Sequence, residues 1–460
     1  MTGDATVTGI DTDLSEAVPT GWSGAAFAVG GGLLGGLVGA LFAAGVTEGI
    51  KRTLAVVSRQ DDWVLLVAPL AGIAVAWAIL HFLGHGEAEQ HLDDAPAAPR
   101  VRLHPWRSFP LDLARADLTA DVVATAGREE RFPWRLAPLR AMAILITVGS
   151  GAPMGTEAPA SHLGVAAGAA LGSPPWARRL ARWMGLGGGA AAVAALMGLP
   201  LVGLAFILEL GRRRRVPITV TRVLAAGSGA LVGWLVNVVF DLDLIRLAVP
   251  ALPPSGVLAA MTITLLVGAI SGALAALTGV AIYQVRGWES SPVVKLLLGG
   301  LSLAATILIL LAVAGPAAAV GPGAGAVSWA ETAGASGVTM LFVAGLRAVA
   351  TTAAVAAGGV GGVFVPFLAI GDVSGRAFAP MLGVPPDLAG AAGAAGGISG
   401  GYRLPITAVA MVIGVGGPFG ATLTCLATVV VAAGAGLAVA VAIERLTNLR
   451  GPASRIVDDG

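Results

Sequence analysis

Cysteine is almost absent from this chain of 460 residues: the single one, Cys425, cannot pair within the chain, so no disulfide framework organises the fold. Lysine is nearly as scarce, occurring only at Lys51 and Lys295, and charged residues of all kinds make up 12% of the sequence, against about 25% in an ordinary soluble domain. That shortage excludes a soluble globular protein. A formal net charge of +1 offers no partner surface for nucleic acid. No basic residue lies among the first twenty, which carry Asp4, Asp11, Asp13 and Glu16, so no cleavable signal peptide is expected there. What the chain has in excess is glycine, 67 residues, and apolar side chains, 56%, with a mean hydropathy of +0.84. Glycine in that amount without a G-X-Y period excludes collagen. Combined with long apolar runs it implies an all-α polytopic membrane protein whose helices approach closely through small residues.

Apolar runs able to span or re-enter a bilayer occur at about 22–47, 63–84, 136–172, 186–209, 217–250, 257–284, 293–320, 338–371, 385–414 and 419–443, measured against the ~20 residues that one crossing needs. Runs 136–172 and 338–371 carry glycine and proline in mid-run, the pattern of broken or re-entrant helices. The expected organisation is a soluble N-terminal tail at 1–21, a first membrane repeat at 22–250 with a polar loop at about 87–134, a second repeat at 251–443, and a C-terminal tail at 444–460, too short for a regulatory domain.

The case for repeats rests on two paired motifs. Gly155-Thr156-Glu157-Ala158-Pro159 is followed by Leu199-Pro200-Leu201-Val202-Gly203, and Gly362-Val363-Phe364-Val365-Pro366 by Leu404-Pro405-Ile406-Thr407-Ala408, in the same order and at nearly the same spacing. A duplicated turn that opens a helix deep in an apolar run is the mark of a repeat-built transporter, with its site between the repeats. Such a helix start presents unpaired N–H groups and the positive end of its dipole, and glycine lets a ligand come close to them. Two of them facing each other suit a small anion.

Glu157 is a carboxylate in mid-run, where ionisable groups are costly and mark function. Ionised, it can occupy the N–H-lined place an anion would take; protonated, it has less reason to stay. It is therefore the candidate gate.

These residues resemble the CLC family of chloride channels and proton-coupled chloride exchangers. Gly151 to Pro159 is similar to the family's G-[KR]-E-G-P stretch, with Thr156 and Ala158 in place of the usual basic residue and glycine; Gly358 to Pro366 is similar to its G-G-x-F-x-P turn, preceded by Arg347, Thr351 and Thr352. Leu199 to Glu209 resembles the N-A-P-L-A-G-x-x-F-x-x-E-E segment, and Arg403 to Thr407 the R-x-P-L-T segment. The resemblance covers about residues 25 to 443. It implies two inverted repeats of tilted and re-entrant helices, a homodimer with one pore per subunit, Glu157 as the gating glutamate, and anion ligands at Gly155, Thr156, Glu157, Ala158, Gly362, Val363 and Phe364. His85 falls where the family has a serine in its first anion-binding segment, and Phe419 where it has the tyrosine of the central site. Glu209 matches the first of the paired acids, while the second, the internal proton acceptor of exchangers, falls at Leu210.

Two other constellations are weaker. His81, His85, Glu87 and His91 have metal-ligand spacing, but Gly84 and Gly86 break the helix that the spacing needs. Gly334-Ala335-Ser336-Gly337 looks like the G-x-S-G of intramembrane serine proteases, yet all five histidines, His81, His85, His91, His104 and His162, lie upstream of it. The sequence thus reads as a multi-pass protein of a bacterial plasma membrane, not an enzyme. It is expected to conduct chloride or a similar monovalent anion passively past Glu157, without cofactor or metal. The alternative is a proton-coupled chloride or fluoride antiporter, with Glu209 on the proton path. An intramembrane serine hydrolase built on Ser336 is the remote rival.

Overall fold

The computed structural model describes residues 21–83, 137–213, 216–242, 256–286, 290–416 and 422–447, with single positions at 247, 249 and 288. Among the described residues the secondary structure is helical, and the lone β-bridge joins Gly155 to Gly362. In chain order the helices are α1 (Trp22–Val57), α2 (Asp62–Leu83), α3 (Ala137–Gly149), α4 (Glu157–Leu171), α5 (Ala181–Met197), α6 (Pro200–Arg213) and α7 (Val220–Phe240). Then follow α8 (Val257–Arg286), α9 (Pro292–Ala314), α10 (Pro316–Ala319), α11 (Ala324–Thr332), α12 (Gly337–Ala356), α13 (Phe364–Ala377), α14 (Ala379–Leu382), α15 (Pro386–Tyr402), α16 (Pro405–Val415) and α17 (Leu423–Thr447).

Seven of these helices are long and apolar enough to cross a membrane: α1, α2, α7, α8, α9, α12 and α17. They carry exposed leucines, such as Leu34 and Leu37 on α1, Leu265 and Leu266 on α8, and Leu297 and Leu301 on α9. In water such surface would aggregate; against lipid it is the favoured surface. The others are too short. The 14 residues of α13 rise only about 21 Å, against ~30 Å of hydrocarbon, so α13 does not cross the membrane by itself. Both long runs with mid-run glycine and proline are broken: 136–172 divides into α3 and α4, and 338–371 into α12 and α13. Runs 186–209 and 385–414 divide as well. Pro200 and Pro405 open new helices there, after Gly198 at φ 69° and Arg403 at φ 56° reverse the chain.

The same packing occurs twice. Helices α1, α5 and α7 pack on one another with α4 against α5, and α8, α15 and α17 pack on one another with α13 against α15. Glycine makes both contacts close: a Cβ on Gly39 would stand 2.7 Å from Gly188 Cα, and one on Gly400 would stand 2.7 Å from Gly272 Cα. A side chain at either place would force the helices apart, which is why small residues line these interfaces. The division placed at 250/251 falls at the edge of a stretch outside the described residues.

Candidate functional site

The two glycine turns meet. Gly155 N–H donates to Gly362 O at 2.6 Å and Gly362 N–H donates to Gly155 O at 2.7 Å. This two-bond clasp brings the start of α4 against the start of α13, one helix from each half. A side chain at either glycine would displace a neighbour. A Cβ on Gly155 would lie 2.5 Å from Glu157 Oε2, and one on Gly362 would lie 2.9 Å from Pro159 Cδ. Thr156 and Val363 are the N-cap residues of the two helices, and neither uses its side chain to cap. The amides of the first turns, at Glu157, Ala158, Phe364 and Val365, are orphan donors by position.

Glu157 fills the space between these helix starts. It is buried, and its Oε1 accepts from Thr156 Oγ1 at 3.1 Å. The backbone N–H groups of Glu157 and Thr156, and of Val365 from the other half, are directed at the carboxylate, although Oε2 makes no hydrogen bond of good geometry. A carboxylate held by two helix dipoles and one hydroxyl is a resident anion that another anion could replace. Gly155, Thr156, Ala158, Gly362, Val363 and Phe364 are all brought to this junction. His85 and Phe419 lie outside the described residues.

The second half braces the turn. Arg347, buried on α12, donates to Gly321 O at 2.7 Å and to Ala318 O and Ala319 O, each at 3.4 Å. Gly321 N–H in turn donates to Gly151 O at 2.8 Å, and Thr351, one turn beyond Arg347, donates from Oγ1 to Pro153 O at 3.1 Å. Phe364 packs edge-on between Phe206 and Tyr402, with centroids at 5.8 and 5.7 Å, so the α13 start is held by aromatic rings as well.

Glu209 has a different setting from the one its place in the sequence suggested. Its Oε1 accepts from Ile406 N–H at 2.9 Å, and its Oε2 accepts from Thr407 N–H at 2.7 Å and Thr407 Oγ1 at 2.6 Å. The carboxylate thus caps α16 from the other half of the chain, while Leu210 beside it is buried. Ser336 is the N-cap of α12, its Oγ accepting from Thr339 N–H at 3.2 Å, which is a structural role. His85, Glu87 and His91 lie outside the described residues; among the described residues no group of three or more His, Cys, Asp or Glu is set to hold a metal.

Two polar groupings escaped the sequence reading. His162, buried on α4 five residues after Glu157, contacts Arg140 of α3 through Nε2 and Nη1. Asp372 and Arg376 form a buried pair on α13. Asp372 is legible in the sequence, as the acid that directly follows the apolar run 338–371.

Seven membrane-length helices, together with broken helices whose starts meet at midchain turns, define a multi-pass integral membrane protein. The model of the voltage gated chloride channel family matches residues 115–436, and the chain belongs to this family, the CLC proteins. A curated relative, the H(+)/Cl(-) exchange transporter ClcA of Yersinia pestis bv. Antiqua (strain Angola), is 25% identical over 407 residues, 83% of this chain and 78% of the relative. Two solved structures share the fold. A slow cyanobacterial Cl-/H+ antiporter superposes with a TM-score of 0.67 at 17% identity, over 94% of this chain and 97% of its own. A CLC-type fluoride/proton antiporter gives 0.68 at 19% identity, over 93% and 98%.

Proposed function

We propose that this protein exchanges a small monovalent anion, chloride or fluoride, for protons across a bacterial plasma membrane, with Glu157 as both gate and proton carrier. The observation that carries the reading is the Glu157 carboxylate, buried between the starts of α4 and α13 and directed at amides of both. When the carboxylate takes a proton it loses its hold on those dipoles and can yield its place to an anion; when it releases the proton it can return. One group thereby links anion position to protonation. The residues that would receive the anion are Gly155, Thr156, Glu157, Ala158, Gly362, Val363 and Phe364, through backbone N–H groups rather than a fixed full charge that would trap it.

The relatives named above are exchangers, and they favour coupled exchange over the passive conduction that the sequence suggested. Passive conduction keeps one supporting observation. The internal acid is replaced by buried Leu210, and neighbouring Glu209 is engaged on α16. The homodimer is an expectation carried by family membership.

The experiment is anion efflux from liposomes holding the purified chain, compared for chloride, fluoride and nitrate, with proton movement recorded in the same vesicles. Exchange requires that an anion gradient drive protons uphill. Anion efflux with no proton movement would favour conduction, and no anion flux at all would overturn both.

A further inference from the structure

Arg376, on the last turn of α13, is ringed by carboxylates from three helices. Its Nε donates to Asp372 Oδ1 on the same helix at 2.9 Å, Nη1 to Asp387 Oδ1 on α15 at 2.6 Å, and Nη2 to Glu331 Oε1 on α11 at 2.9 Å. With all three acids ionised, the negative charges outnumber the positive one. The rim is open, because the side chains of Glu331 and Asp387 keep 26% and 42% of their exposure. Asp372 beneath it is fully buried, and its Oδ2 has no hydrogen-bond partner. That oxygen lies over Gly390 beside the guanidinium: a Cβ there would meet Asp372 Oδ2 at 2.5 Å and Arg376 Nε at 2.8 Å.

A buried carboxylate oxygen without a donor, amid excess negative charge, calls for a ligand of positive charge. A metal ion fits poorly, since the guanidinium already holds the centre and no metal-holding group is found among the described residues. A proton fits well: on Oδ2 it removes one excess charge and turns the orphan acceptor into a hydroxyl. The other helices packed on α13 add no charge at this point. The α8 contact is Ser271 Oγ to Ser374 Oγ at 2.9 Å, and Arg347 of α12 is turned to the carbonyls at Ala318, Ala319 and Gly321. Glu157 of α4 sits at the far end of the helix.

Asp372 follows Val365 by seven residues, which returns it to the same helix face about 10 Å along the axis. Val365 is the residue whose amide is directed at Glu157, and buried Leu368 stands between the two levels. The geometry points to Asp372 as a proton-binding residue, loaded from water at the Glu331 and Asp387 rim, that supplies the proton Glu157 carries. The proton bonds to Oδ2, and on release it passes along α13 by water admitted past Leu368; no electron moves. This assignment rests on the exchange reading above.

The test uses the full chain in liposomes under an imposed chloride gradient. Asp372→Asn should lower the ratio of protons to anions moved by at least about tenfold, because an amide cannot take up the proton. An unchanged ratio overturns the assignment. If the unaltered protein moves no protons uphill, the exchange reading fails by itself, and infrared difference spectra then decide the site. A protonated-carboxyl C=O band that titrates and vanishes in Asp372→Asn supports proton binding here, and a band that persists refutes it. Should Asp372→Asn not fold, the rim variant Glu331→Gln with Asp387→Asn leaves the buried acid in place. Loss of two negative neighbours should move the pH profile of proton movement to more acid values, and an unmoved profile overturns the assignment.

Discussion

Glu209 gives the sharpest quantitative test, because its place in the sequence suggests proton transfer and its contacts suggest mechanics. Both oxygens are taken, by two backbone amides and one hydroxyl of α16. Each bond is charge-assisted, and such bonds contribute about 1.5–3 kcal/mol when fully sheltered. Ile406 is exposed and Glu209 only part-buried, so water replaces part of the loss. Glu209→Ala should therefore cost about 2–3 kcal/mol of stability, near the upper limit for loss of one helix cap. Glu209→Gln keeps one acceptor oxygen and gives up the charge, for a cost of about 1 kcal/mol. Equilibrium unfolding in mixed detergent micelles reads both values. A double-mutant cycle with Thr407→Val should show a coupling of about 1 kcal/mol, since the 2.6 Å hydroxyl contact is shared by the pair. The ratio of protons to anions should stay the same in Glu209→Gln. A stable Glu209→Gln that has lost proton coupling would refute the capping argument and make Glu209 the internal proton carrier.

Three further outcomes follow from the junction of α4 and α13. Glu157→Gln imitates the protonated gate and should raise anion flux while making it nearly independent of pH; a retained pH profile in liposome efflux would place the gate elsewhere. Val363→Ala should leave flux within about twofold, whereas Val363→Pro removes a donor and should lower it by about tenfold or more, and equal flux in the two would remove the backbone amides from the anion site. Gly362→Ala sets a methyl 2.9 Å from Pro159 Cδ, and its strain, about 1–3 kcal/mol, should appear as lower stability in the same unfolding assay, while Gly345→Ala, at an open site inside α12, should raise stability by up to about 1 kcal/mol.

The sequence made the architecture legible wherever a local rule governed it. Glycine and proline in mid-run foretold the breaks between α3 and α4 and between α12 and α13, because a chain in hydrocarbon can leave the helix only where neighbouring groups satisfy its backbone. The breaks at Pro200 and Pro405 lay inside runs read as continuous, for hydropathy alone does not distinguish one spanning helix from two short ones. Glu157 stood out as an isolated acid. The repeat implied that the two turns face each other, but the bonds between Gly155 and Gly362 were not legible, since they join turns more than two hundred residues apart and neither turn fixes the register. Glu209 shows the same limit: its spacing from Leu199 places it correctly on α6, but its partners on α16 come only from three-dimensional packing. For Arg376 only the i, i+4 spacing from Asp372 is local; Asp387 and Glu331 reach it from two other helices.

Three sets of polar contacts near the site share one property that bears on how a gate there can work. Gly155 bonds Gly362, Glu209 bonds the start of α16, and Thr351 bonds Pro153, each across the two halves. Within each half the close contacts are instead between small residues, as at Gly39 with Gly188 and Gly272 with Gly400. The seam is therefore held by directional bonds that break if either half rotates by a few ångströms, and the halves themselves are packed too tightly to bend. A large rocking motion would have to give up several of these bonds together. Rotation of the Glu157 side chain breaks only its bond to Thr156 Oγ1 and its longer-range attraction to the amides. The least costly moving part at this junction is thus a single carboxylate, which suits a gate worked by one proton and keeps both helix starts in place to receive the anion that replaces it.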